Sequence, residues 1–255
     1  VGEAVIDMYK TDYLRPIDFD RVSIDKARRL ISTKQTDTLG AKIQGGPTLP
    51  LFLDLVKNSD DLLNDETLRN YDLTTDVPEM IDDRAQTVIN FRHREGTGYS
   101  LYYGKIYVDS ESLAITRVEM NLDMADKERA TKLMLVSKPA GVKFKPREMS
   151  MQVNYKTEDG VTRISYVRST SRFVCDWKKR LFRSSYVVNS EMVVTDRYPK
   201  DKVKQIPRRD SFKQRASLYD NVELFDAPDF WGRDNIIEPT ESLENAIEKL
   251  KKRLR

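Results

Sequence analysis

The chain has 255 residues, with 44 lysines and arginines against 41 aspartates and glutamates and a formal net charge of +3. A balance so close to neutral sets no global demand for nucleic acid or an anionic membrane as partner, and a chain of this length buries a core without disulfide staples. The single cysteine, Cys175, excludes an internal disulfide, and its apolar setting in Arg172-Phe-Val-Cys-Asp-Trp177 predicts a buried thiol rather than a reactive nucleophile.

Residues 1–9 open at once with strand-like alternation, and position 1 is Val rather than an initiating methionine, so the sequence is expected to start inside a longer protein whose N-terminal part is missing. No signal peptide opens it, and no run approaches the ~18 consecutive apolar residues of a membrane span. Residues 10–16 read as a loop, and 22–39 mix charged and apolar residues without a clear period. Gly45, Gly46 and Pro47 then break the chain before a buried helix over 49–56, with Thr48 as cap and Pro50 in its first turn. A glycine pair ahead of a helix can bind phosphate, but the lysine and hydroxyl residue of a P-loop are missing, which leaves a turn and a cap. Residues 58–78 are acidic and polar and predict a short helix followed by a surface connection.

A strand over 85–92 alternates Ala85, Thr87, Ile89 and Phe91 before His93 and a turn near Gly96 and Gly98. Residues 99–122 read as two strands joined at Asp109 to Ser112, with Gly104 marking a bend or a close backbone approach. Within 126–137 a helix would turn Ala130, Leu133 and Met134 inward, although 133–136 reads equally as a strand. Met149, Met151, Val153 and Tyr155 alternate with Ser150, Gln152, Asn154 and Lys156, giving one core face and one wet face. Asp159-Gly160 supplies a tight hairpin turn to a return strand over 161–177. Lys178 to Arg180 turn the chain again into 181–197, where Phe182, Tyr186, Val188, Met192 and Val194 share a side. Three long antiparallel strands in succession predict a sheet that curls. Residues 198–240 form a loop-rich arm, basic from Lys200 to Arg215, and Leu243, Ala246, Ile247, Leu250 and Leu254 stripe an amphipathic C-terminal helix over 241–255.

Catalytic signatures are thin. One histidine and one cysteine cannot build a zinc site. No nucleophile elbow accompanies His93, which reads as an exposed structural histidine between Arg92 and Arg94. Carboxylates remain the only candidates for acid and base work. Asp82 and Asp83 would point apart in a strand, and Asp226, Asp229 and Asp234 lie on a loop with Phe225, Phe230 and Trp231, where aromatics beside acids suit a sugar or serve as a clamp on the sheet.

Several segments together resemble the C-terminal region of a Bacteroidetes envelope family, the carboxypeptidase regulatory-like-domain-containing proteins. They are Tyr102-Tyr-Gly-Lys-Ile-Tyr-Val-Asp109, Gln44-Gly-Gly-Pro47, Lys138-Pro-Ala-Gly141, Phe173-Val-Cys-Asp-Trp-Lys-Lys-Arg-Leu-Phe182 and Ser190-Glu-Met-Val-Val-Thr-Asp-Arg197, with Phe230-Trp231 and Asn235-Ile-Ile-Glu-Pro-Thr-Glu-Ser-Leu-Glu244 as the last and most specific. The resemblance implies export and a periplasmic or outer-membrane location, and carries no catalytic residues with it. More loosely, Gly104-Lys-Ile-Tyr-Val-Asp109 with 115–119 resembles the meander of periplasmic lipoprotein carriers, in which a curved sheet wraps helices around an apolar hollow.

The expectation is therefore a single α+β domain over 1–255. In it a strongly curved, half-barrel-like antiparallel sheet is packed on a few helices, including the C-terminal one. It is expected to be a non-catalytic envelope module that holds a lipid or other hydrophobic small molecule against Met149, Met151, Val153, Tyr186, Val188 and Met192. The alternative is a scaffold domain of an outer-membrane complex, meeting an envelope protein through Arg208, Arg209, Lys213, Phe230 and Trp231, and a glycan or peptide hydrolase comes last. No metal, cofactor, nucleic acid or transmembrane segment is expected.

Overall fold

The computed structural model describes residues 2–12, 15, 17–29, 41–58, 63–94, 102–178 and 183–222. Within them the chain is mostly antiparallel β-sheet with a few short helices. Strands β1 (Gly2–Tyr9) and β2 (Arg21–Arg29) form a two-stranded ribbon. A two-residue strand β3 (Lys42–Ile43) leads into helix α1 (Leu49–Leu53), and helix α2 (Asp65–Leu68) follows. Strands β4 (Tyr71–Thr75), β5 (Glu79–Ile81), β6 (Arg84–His93), β7 (Tyr102–Asp109) and β8 (Ile115–Leu122) come next. Helix α3 (Lys127–Met134) runs directly into β9 (Leu135–Ser137), so the segment that reads both as helix and as strand is each in turn. Long strands β10 (Val142–Glu158), β11 (Val161–Trp177) and β12 (Ser184–Val193) and a one-turn helix α4 (Leu218–Asn221) follow, and single 3-10 turns lie at Ile17–Phe19 and Lys200–Lys202.

Eight strands build the main sheet in the order β12-β11-β10-β8-β7-β6-β4, with β5 hooked onto β6; the sheet is open, not closed into a barrel. One face carries the core. Met149, Met151, Val153 and Tyr155 on β10 join Val118, Met120, Val167 and Phe173 from neighbouring strands beneath Leu49 and Leu53 of α1 and Ala130 and Met134 of α3. Phe144, Phe173 and Tyr186 stack across β10, β11 and β12, with ring centroids 4.8 and 5.5 Å apart, a geometry that adds to the area each ring buries.

Four local readings change. Residues 22–29 are a strand: β2 pairs with β1, but a bulge opposite Val5 and Ile6 skips Asp25 and breaks the alternation that would have shown it. The surface connection in 58–78 contains β4, an edge strand with only Tyr71 buried. The helix over 49–56 ends at Leu53, and Thr48 sits at its N-cap without a side-chain capping bond. Asp82 and Asp83 do not lie in a strand; both have positive φ, 49° and 60°, and make the tight turn between β5 and β6. The C-terminal helix over 241–255 lies outside the described residues, as do Phe230, Trp231, Asp226, Asp229 and Asp234.

Candidate functional site

The six candidate ligand residues lie on the same face of the sheet in neighbouring strands. Strand pairing sets Met149 beside Ser171 and Val188, Met151 beside Ser169 and Ser190, and Val153 beside Val167 and Met192. Their environments differ. Met149, Met151 and Val153 are 0–4% exposed and belong to the packed core, whereas Tyr186, Val188 and Met192 on edge strand β12 are half-buried and continue that core toward solvent. The alternation along β12 is strict, with Ser185, Val187, Asn189, Glu191 and Val193 exposed on the other side. The apolar stripe therefore ends at a partly open margin. Cys175, on the same face of β11, is fully buried, and burial pushes its thiol up, away from nucleophilic use.

The basic candidates occupy a different region. Arg208, Arg209 and Lys213 are exposed on a segment strapped along the β1–β2 ribbon. There the Phe212 N–H donates to the Val22 carbonyl at 2.6 Å, and Gln205 Nε2 donates to the Phe19 carbonyl at 3.4 Å. Val222 is buried beyond it, and Asp220 pairs with Lys42 at 2.5 Å. The arm is thus held at several points, while these three cations stay exposed. His93, half-exposed at the end of β6, pairs with Asp123 at 3.2 Å.

A cluster that the sequence does not announce joins the ribbon to the sheet. Lys57 Nζ, with its side chain 1% exposed, donates to Asp20 Oδ1 at 2.7 Å and to the carbonyl and hydroxyl oxygens of Thr11 at 2.9 and 2.8 Å. Lys10 pairs with the fully buried Asp54, and the neighbouring Leu55 N–H donates to the Tyr155 hydroxyl at 3.0 Å. Burial, with the Asp54 charge second, pushes the Tyr155 hydroxyl far above its usual range. Buried lysines beside carboxylates also occur in catalytic sites. Here each charge is matched across elements that would otherwise separate, which is the arrangement of a structural tie.

On the opposite, polar face a hollow of about 250 Å³ opens between β8, β10 and β11, lined by Glu119, Asn121, Ser150, Gln152, Arg168 and Thr170 together with Met120 and Met151. Among the described residues no group of three or more His, Cys, Asp or Glu is placed to hold a metal ion, and no helix is long and apolar enough to cross a membrane. No protein family, curated protein or solved structure matches the chain.

Proposed function

We propose that this chain is a non-catalytic envelope module that holds a lipid or another hydrophobic small molecule against the apolar face of a curved, half-barrel-like sheet. The observation that carries the reading is the half-buried stripe of Tyr186, Val188 and Met192, an apolar surface continuous with the core yet incompletely covered. An acyl chain laid along β12 would remove that surface from water at roughly 25 cal/mol per Å². The fully buried Met149, Met151 and Val153 would then form the floor of the site rather than its open wall. Export and the periplasmic or outer-membrane location rest on the family resemblance of the sequence.

The test uses a fluorescent fatty-acid probe with the parent, Tyr186→Asp and Val188→Asp proteins, each checked for folding by circular dichroism. Both positions are half-buried on an edge strand, so the variants should fold. Probe affinity should drop at least about tenfold, equivalent to about 1.4 kcal/mol; folded variants that bind as the parent does would sink the site.

A second reading, a scaffold domain of an outer-membrane complex, draws on the exposed cations of the strapped arm. Among the described residues Arg208 and Lys213 meet no carboxylate, while Arg209 approaches its neighbour Asp210 at 3.5 Å. Capture of an acidic envelope partner through those cations would weaken steeply with ionic strength, whereas burial of an acyl chain would not.

A further inference from the structure

The polar face of the main sheet is ordered in cross-strand rows, and their side-chain lengths shape it. One row runs Tyr103, Asn121, Ser150, Thr170 and Asn189 across β7, β8, β10, β11 and β12. The row on one side of it is Lys105, Glu119, Gln152, Arg168 and Glu191, all long side chains. On the other side stand Glu148 and Arg172. Short side chains between two taller rows leave a trough. Its walls stand four residues apart along β10 and β11, about 13 Å at the rise of a strand, and the hollow of about 250 Å³ lies within it.

The chemistry of the trough narrows what it can take. Six of the eight residues that line the hollow are polar or charged and offer amides, hydroxyls and ionic groups, with Met120 and Met151 completing the lining. Both wall arginines lie beside carboxylates, Arg172 Nε with Glu148 at 3.0 Å and Arg168 Nε with Glu191 at 3.4 Å, so the positive charge of the walls is offset by negative charge. Strands β8, β10 and β11 are interior to the sheet and spend their backbone groups on their neighbours, which leaves no edge to pair with a peptide. At one end Tyr103, 39% exposed, stands directly across from Asn121 and offers a ring.

We infer that this trough is a binding site for a neutral oligosaccharide, distinct from the apolar face and independent of it. Amides, hydroxyls and paired charges along the floor and walls supply alternating donors and acceptors for sugar hydroxyls, and the Tyr103 ring packs against the apolar C–H face of a pyranose.

Affinity electrophoresis of the purified chain through gels containing galactomannan, xylan, hydroxyethylcellulose, mannan or laminarin tests it. At least one neutral polymer should retard the parent. Tyr103→Ala should weaken that interaction about tenfold, a change of about 1.4 kcal/mol, and Ser150→Tyr, which fills the floor, should abolish it; Thr170→Lys serves the same purpose if Ser150→Tyr fails to fold. Lys127→Ala, exposed on helix α3 over the opposite face of the sheet, should leave retardation unchanged. Absence of retardation by every neutral polymer, full affinity in a folded Tyr103→Ala or floor-filled variant, or binding only to sulfated or carboxylated polymers that fades with salt overturns the assignment.

Discussion

At Gly104 a Cβ atom would stand 1.8 Å from the carbonyl oxygen of Glu119 and 2.8 Å from its carbon, both backbone atoms of the paired strand. Neither can swing aside, so the glycine is required by the close approach of β7 and β8 rather than by a turn. Gly104→Ala should cost about 3 kcal/mol by forcing those strands apart, read as a lower urea midpoint; a cost below about 0.5 kcal/mol would contradict that approach. Five residues further on, Asp109 folds the β7–β8 turn around its carboxylate. It accepts from the Ser112 N–H at 2.7 Å and the Ser112 hydroxyl at 2.8 Å and pairs with the Arg84 guanidinium, and these contacts hold its carboxyl well below the usual range. A depressed folded value stabilises the native state above the unfolded carboxyl's value of about 4, and that contribution is lost as the pH falls through the folded value. Urea midpoints of the parent and Asp109→Asn should therefore differ by a constant amount above about pH 5 and converge toward about pH 2. A gap that stays the same through that window would show that the contacts do not favour the charged form.

At the scale of elements, the β1–β2 ribbon depends on charges placed far apart in the chain. Lys57→Met leaves Asp20 charged and buried, with one carboxylate oxygen already lacking a partner among the described residues. This should destabilise by about 3–5 kcal/mol, with hydrogen exchange of β1 and β2 rising before that of β10. Adding Asp20→Asn should recover much of the loss, and a double variant as unstable as the single one would point to a different role. No sequence pattern could have found this cluster, because Lys10 and Asp20 meet the local Asp54–Lys57 pair only through tertiary packing. The strands were legible where one face is dry. Met149 to Tyr155 alternate without interruption, and the turn they predict is made by Asp159 and Gly160 at φ 51° and 71°. Upstream of Met149 a bulge between Pro146 and Glu148 reverses which positions face inward, so the same strand shows no single period over its length. Strand β4 gave no signal for a simpler reason: an edge strand with only Tyr71 buried has nothing to alternate.

For the whole molecule, the sheet separates two chemistries. Its apolar face is filled from β10 and left partly open along β12, and its other face carries the polar trough. The inward-facing candidates could be picked from alternation alone, while their division into buried floor and half-exposed margin follows from β12 being the last strand of the sheet. The trough needed the register of five strands, which no single stretch of sequence contains. The proposed hydrophobic ligand at the β12 margin is tested most directly by organic extraction of the natively purified protein followed by mass spectrometry of what is released. A lipid or fatty acid should come from the parent in stoichiometric amount and be lost from Val188→Asp. An empty extract from the parent, together with no uptake of added fatty acid, would contradict the proposal.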